Sequence, residues 1–447
     1  MSDFNLRQST DYRINELTLV TKGGKIDIRQ MFEEINIYES MLTPCISGDI
    51  IISDAIGLSS QLLIDGSELL LIDIDKGAGF GNMKRAFRIY KQSDRKNKNQ
   101  TSEVYVLKFA SEEIVLSEQQ TLSECYKGTY TDIVKKILIN KLKVSGNNFK
   151  ERNFEKSVGA IDVIIPTLKP FDAINWCSKR AIDSKGQPTF LFFENDSGYN
   201  FTTLSKIMQQ EPIFSVNFDV KNLSDENGDQ NLKAELLGAR AMEVISQFDF
   251  IKNTQAGVFA GTYVGIDPLT RQIISEKKTF NTLYGPTNHA NRNANLPIDT
   301  NKLNKTNSQM DQSRIVFHLT TGPRNQSQWI KNGEPGSLTT DDVPQKYTYA
   351  RKALLQNFTA QRLKIALPGN FLISPGKTIN LDVPKRSFNT RGADNSDVTL
   401  KGKYAILSTR HIIKYKMFET IAEVVTDSSA KPIVAANREL SQILGSY

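Results

Sequence analysis

The 447-residue chain contains only three cysteines, Cys45, Cys125 and Cys177. They are too few and too scattered for a disulfide framework or a zinc site, and are expected as reduced thiols. Histidine is as scarce. His289, His318 and His411 show no H-x-x-x-H spacing of the kind that places two imidazoles on one metal. No G-x-S-x-G elbow is present, so that hydrolase nucleophile turn is excluded. No apolar run approaches the roughly 20 residues that cross a bilayer, so no membrane insertion is expected. The first thirty residues alternate polar and apolar without the basic start and apolar centre of a signal peptide. The expectation is a protein made and kept in a cytoplasm.

Two glycine motifs imitate phosphate loops, and each fails. In Gly77-Ala78-Gly79-Phe80-Gly81 the third glycine comes one residue early for a dinucleotide fingerprint, and Phe87 to Tyr90 then reads as strand. A hairpin loop that needs positive φ is the better reading. Pro375-Gly376-Lys377-Thr378 ends like a P-loop, but Phe371 stands where the first glycine belongs and a strand pattern follows. Paired carboxylates such as Asp73 with Asp75 and Asp341 with Asp342 are read as solvated or satisfied, since glycosidase chemistry is set by a separation in space. The expectation is no catalytic residue, no metal and no cofactor.

What the chain does contain is an ordinary globular mixture, 39% hydrophobic and 23% charged, long enough for two to four domains. Its formal charge of +7 invites a nucleic-acid reading. The clearest basic cluster, Lys84 to Lys98, reads instead as a strand running into a solvated hairpin tip, with Asp94 interrupting it.

The most informative stretch is Pro166 to Leu204. Pro170 suits the first turn of a helix, with Asp172 complementing the dipole behind it. Phe171, Ile174, Cys177 and Ala181 form one apolar stripe, and Gly186 and Pro188 are expected to stop the helix. Thr189 to Glu194 is apolar on both faces, which predicts a central strand. Asn195 to Gly198 supplies a turn, and Tyr199 to Thr202 returns as a second strand.

Upstream, closely spaced strand patterns fill Tyr12 to Phe109 and predict a small antiparallel barrel or sandwich. A helical period follows, with Thr131 as its expected N-cap and Ile133, Val134, Ile137, Leu138 and Leu142 as its apolar face. Downstream, Pro212 to Val220 and Thr254 to Ile266 read as strands, and Lys346 to Leu355 as a helix. Thr359 to Leu367, Thr378 to Val383, Tyr404 to Ile413 and Phe418 to Val425 read as strands again. Residues 281–345, rich in Asn, Thr, Gln, Pro and Gly, are too long for a structureless loop, and Arg314 to Thr321 suggests a strand within them.

The sequences LKPFDAINWCSKRA, FLFFEND and GYNFTTL resemble a pattern in the central baseplate hub proteins of contractile-tailed bacteriophages, and more distantly the hub portion of type VI secretion spike proteins. IYESMLTPCISGDIIISDA, LLIDGSELLLIDI, LPGNFLISPGKTINLDVP and GKYAILSTRHIIKYKMFETIAEVVTDS extend the resemblance over most of the chain. It implies a β-rich α+β fold: two antiparallel β-barrel tube domains joined by a middle α+β domain, with an insertion in the second barrel. The expected division is 1–120 for the first barrel, 121–208 for the middle domain, and 209–248 plus 346–430 for the second barrel. Residues 249–345 are the inserted subdomain and 431–447 a C-terminal arm or helix. The resemblance further implies a virion protein assembled in the host bacterial cytoplasm, a homotrimer that adapts a hexameric tail tube to a trimeric central spike. Its partners would be the spike protein and a tube or tube-initiator protein. The tape-measure protein and DNA would pass through its lumen, with the surplus positive charge lying mainly elsewhere. Readings from other classes are a basic nucleic-acid-binding protein and a tail-associated cell-wall hydrolase.

Overall fold

A computed structural model describes residues 8–58, 64–77, 79–99, 102–218, 235–267, 271–294, 314–319, 344–384, 397 and 399–430. Arg386 to Ser396, Asp341 with Asp342, and Lys431 to Tyr447 lie outside the described residues. Seven strands come first: β1 (Arg13–Thr21), β2 (Gly24–Asp27), β3 (Phe32–Ser40), β4 (Ser47–Asp54), β5 (Leu69–Asp75), β6 (Asn82–Asn97) and β7 (Glu103–Ala110). In β4 every second residue is buried, the alternation expected of a strand with one face on a core. Leu17, Ile50, Ile72, Phe87 and Leu107 from five of these strands meet in that core. Fully burying side chains of this size is worth about 1.5–3 kcal/mol each.

A mixed layer follows: α1 (Glu112–Glu118), β8 (Cys125–Gly128), α2 (Tyr130–Asn140), β9 (Ile161–Ile164), α3 (Pro170–Arg180), β10 (Phe190–Asn195), β11 (Gly198–Thr203) and α4 (Leu204–Gln209). Pro170 does open α3, and Phe171, Ile174, Cys177 and Ala181 are all buried. The helix ends at Arg180, well before Gly186, because Ala181 turns to an extended conformation and its N–H bonds back to the Cys177 carbonyl. The N-cap of α2 is Thr129, not Thr131. Thr129 and Asp132 form a reciprocal capping box, while Thr131 is buried and its hydroxyl donates to the Glu155 carbonyl at 2.8 Å. The strand expected to be central, β10, belongs to a two-stranded sheet with β11. All six of its residues are nevertheless buried, because its faces are covered by α3 and by the neighbouring layers rather than flanked by further strands.

The remaining elements are β12 (Ser215–Asn217), β13 (Ala241–Ser246), α5 (Phe250–Ala256), β14 (Ala260–Asp267), β15 (Gln272–Thr279), α6 (Phe280–Tyr284), β16 (Asn293–Ala294), β17 (Ile315–Leu319), α7 (Pro344–Tyr347), α8 (Ala350–Phe358), β18 (Gln361–Pro368), β19 (Thr378–Asp382), β20 (Gly402–Lys414), β21 (Met417–Thr426) and β22 (Ser428–Ser429). Helix α5 stands where a strand beginning at Thr254 was expected; Asp249 caps it by accepting from Lys252 N at 2.9 Å. The single helix expected from Lys346 is two pieces, α7 and α8. Strands β15, β14 and β17 form a small sheet of their own.

Thirteen strands share one sheet, whose main path runs β13-β18-β21-β20-β3-β4-β7-β6-β5-β1-β2, with β19 and β12 branching from β20. Strand β20 makes this possible by serving two neighbours on one side. Its Gly402–Ala405 end pairs with β19, and Ser408 to Lys414 pair antiparallel with Ser40 to Glu34 of β3. Hydrogen bonds that would otherwise close either half on itself are thus spent on the seam. No closed barrel forms among the described residues; the second half comes nearest, through a single parallel bridge between Asn217 and Gly238. The seam is also packed, since Phe371, Ile413 and Phe418 reach into the core of the first seven strands.

Candidate functional site

The residues that chemistry would need are dispersed. His289 is held by Asp427 at 2.6 Å through Nδ1 and by the Tyr284 carbonyl at 2.8 Å through Nε2, with its ring stacked on Tyr284, so both nitrogens are engaged. His411 is buried between the rings of Phe371 and Phe418, its Nδ1 2.9 Å from the Thr420 hydroxyl. Burial pushes it down to about 3, keeping it neutral. His318 lies on β17 and contributes to the wall of the larger cavity described below. Among the described residues no group of three or more His, Cys, Asp or Glu is placed to hold a metal ion.

Cys45 and Cys177 are buried and free, and burial pushes each thiol up to about 12, away from the nucleophilic thiolate. Cys125 is exposed. Asp73 takes Lys84 at 3.1 Å and Asp75 takes Arg13 at 3.7 Å. Gly77, Gly79 and Gly81 have positive φ and lead into β6, as a hairpin turn requires. Gly376 packs against hairpin β10–β11: a Cβ there would come within 2.5 Å of the Phe193 ring.

The basic cluster from Lys84 to Lys98 runs along β6 into an exposed hairpin tip, as expected, and several of its cations are paired. Lys84, Arg85, Arg88, Arg95 and Lys98 meet Asp73, Glu194, Glu112, Glu103 and Glu33 respectively. Pairing of these five weakens, without removing, the case for a phosphate track.

What the fold does bring together is a buried polar junction at the tip of the β10–β11 hairpin. Glu194 accepts from Arg85 at 2.6 Å, from Ile46 N at 2.9 Å and from Ser111 Oγ at 2.5 Å. Arg85 also donates to the Asn195 carbonyl at 2.7 Å. On the other side, Asn195 Nδ2 donates to the Pro375 carbonyl at 2.9 Å, Lys377 pairs with Asp196 at 2.8 Å, and Ser374 Oγ donates to Glu39 at 2.7 Å. One hairpin tip therefore grips both halves of the sheet. Burial pushes Glu39 up to about 7, with Asp196 and Glu194 adding repulsion. Nothing in the sequence signalled this junction, because its members are far apart along the chain and each belongs to an ordinary strand or turn.

A cavity of about 580 Å3 lies between α3, α8 and the turn after β3, lined by Leu42, Lys179, Arg180, Arg351, Lys352 and Leu355 among others. It continues into a smaller one of about 250 Å3 that shares Leu42, Leu191, Arg351 and Leu355. This groove was not foreseen either; its walls come from three separate stretches of chain.

No family model matches the chain. Over 417 residues it is 21% identical to the "Probable baseplate hub protein gp334" of Vibrio phage KVP40, in an alignment covering 91% of this chain and 92% of that one. A tail protein from Neisseria meningitidis MC58 superposes with a TM-score of 0.52 at 13% identity, over 93% of this chain and 97% of that one. The 43 kDa tail protein of prophage MuSo2 from Shewanella oneidensis gives 0.51 at 8% identity, over 94% and 100%. The two structures share the fold, and the hub relative extends the resemblance read from the motifs to almost the whole chain. The hub relative supports a structural role in a phage tail and a place in the virion. Among the described residues no helix is long and apolar enough to cross a membrane.

Proposed function

We propose that this chain is a non-enzymatic central hub of a phage tail baseplate, a ring of three copies joining a hexameric tail tube to a trimeric spike around a channel for DNA. The observation that carries the reading is the pair of sheet edges. Among the described residues β2 and β13 are each paired on one side only, at opposite ends of the main sheet path. Strand β13 also exposes Val244 and Ile245, and Phe248 just beyond it is 75% exposed. An apolar edge strand is a liability in a monomer and is ordinarily covered. Covering it with the far edge of the next copy is a head-to-tail contact, which makes a ring if the rotation closes.

In this reading residues 1–120 and 209–248 plus 346–430 are the two tube halves, hinged on the middle layer 121–208. Residues 249–345 are an inserted subdomain. Two tube halves per copy present six similar surfaces to the tube, while the true three-fold axis suits the spike. The tape-measure protein and DNA pass through the lumen. No catalytic, metal or cofactor residue is assigned.

The test is native mass spectrometry with negative-stain imaging of the purified chain, alone and with the spike protein. Three-fold rings with a central hole are expected, and Val244→Lys with Ile245→Lys should return the chain to monomers. A chain that stays monomeric in both conditions overturns the reading. Duplex binding that falls steeply with salt would favour the nucleic-acid alternative, and peptidoglycan clearing the hydrolase.

A further inference from the structure

The groove between α3 and α8 carries four cations, none with a carboxylate partner among the described residues. Lys179 and Arg180 occupy the last turn of α3, where a helix C-terminus favours positive charge. Arg180 is held flat, its guanidinium carbon 3.9 Å from the centre of the Trp176 ring. Arg351 and Lys352 are placed against that rule. They sit in the first turn of α8, a helix with no acidic residue there and no side-chain cap, and like charge at a helix N-terminus is unfavourable unless an anion is supplied. Arg351 lines both cavities and, among the described residues, donates to the Ser178 and Pro188 carbonyls, each at 2.9 Å. Burial pushes it down to about 10.

Apolar side chains share the groove with these charges, alongside the polar Thr348, Gln356 and Thr359. Leu42 is 64% exposed, and Leu191 and Leu355 line the same groove. Asp172 marks the opposite end of the groove. A nucleic-acid backbone would satisfy the cations and leave the leucines wet. A carboxylate beside an apolar side chain satisfies both.

We propose that this groove receives an acidic, apolar segment of another polypeptide, one carboxylate pairing with Arg351, Lys352 and Lys179 while its neighbour covers Leu42 and Leu355. The surface is separate from the β2 and β13 edges, so the proposal stands whether or not the chain forms a ring. The full-length protein is titrated calorimetrically with a capped hexapeptide of leucine and glutamate, with its leucine and glutamine counterpart, and with duplex DNA. Saturable binding of the glutamate peptide is expected. Affinity should fall at least about tenfold for the glutamine peptide and for the Lys179→Glu, Lys352→Glu double variant, roughly the loss of one charge-assisted contact. Both lysines are exposed, so the variant's melting temperature should be unchanged. The proposal is overturned if the two peptides bind equally, if neither binds, if the double variant binds like the parent, or if DNA displaces the peptide at comparable concentration.

Discussion

Glu194 and Arg85 meet at 2.6 Å although 109 residues separate them, and the glutamate side chain is wholly buried while the arginine side chain is 12% exposed. Each is the other's counter-charge at the point where the middle hairpin enters the first half of the sheet. Removing one partner leaves a buried charge, so Glu194→Ala should cost about 3–5 kcal/mol, and a double replacement by Leu and Met much less than the sum of the single changes. Urea unfolding of the two single variants and the double decides it; a Glu194→Ala loss of under about 1 kcal/mol would show the pair to be idle.

Glu39 gives a pH signature of the same junction. Its folded value is raised above the ordinary 4.5 to about 7, chiefly by burial. The protonated acid is therefore the form the fold favours, and its contribution is complete below about pH 4.5 and lost as pH rises to about 7. Glu39→Gln keeps the group neutral. It should flatten the stability profile across that window and gain up to about 3 kcal/mol at pH 8 relative to the parent. Equal destabilisation at pH 5 and pH 8 would contradict this account.

Asp427 clasps the segment after α6 to the end of the second half. Besides His289 it accepts from Ala290 N at 3.2 Å, and next to it Asn291 Nδ2 donates to the Ser428 carbonyl at 2.9 Å. Asp427→Ala should raise hydrogen exchange in residues 287–294 and leave β3 and β20 protected, since local opening need not involve the core. Exchange rising equally in both regions would mean that the clasp belongs to the global fold.

Gly369 has no room for a side chain: a Cβ there would lie 2.0 Å from the Phe418 ring. Gly369→Ala should lower stability by about 1–3 kcal/mol or more through overpacking. Adding Phe418→Leu should recover part of that loss. A cost unchanged in the double variant would place the strain elsewhere.

Local physics was readable wherever a single stretch decides its own structure. Pro170 announced α3, and the strand pattern from Phe418 to Val425 announced β21. Errors arose where tertiary partners decide. Thr131 stands nearer the apolar run than Thr129, yet only Thr129 has Asp132 three residues on. Strand β10 read as central because it is apolar on both faces, a pattern that cannot say whether strands or helices cover it. Phe250 and Ile251 are exposed apolar residues on a helix, which defeats a period count. Glu194, Arg85 and Arg351 carry no local signal at all, because their roles exist only once distant segments meet.

The seam between β3 and β20 places Arg410 Nε 3.0 Å from Asn36 Oδ1, 374 residues away. During translation β3 therefore emerges long before its neighbour exists, and one flank of an apolar-backed strand waits unpaired until β20 has been made. Such late, long-range closure slows folding and invites aggregation. Expression at lower temperature or with added chaperone should raise the yield of soluble protein more than it does for a truncation lacking the first seven strands.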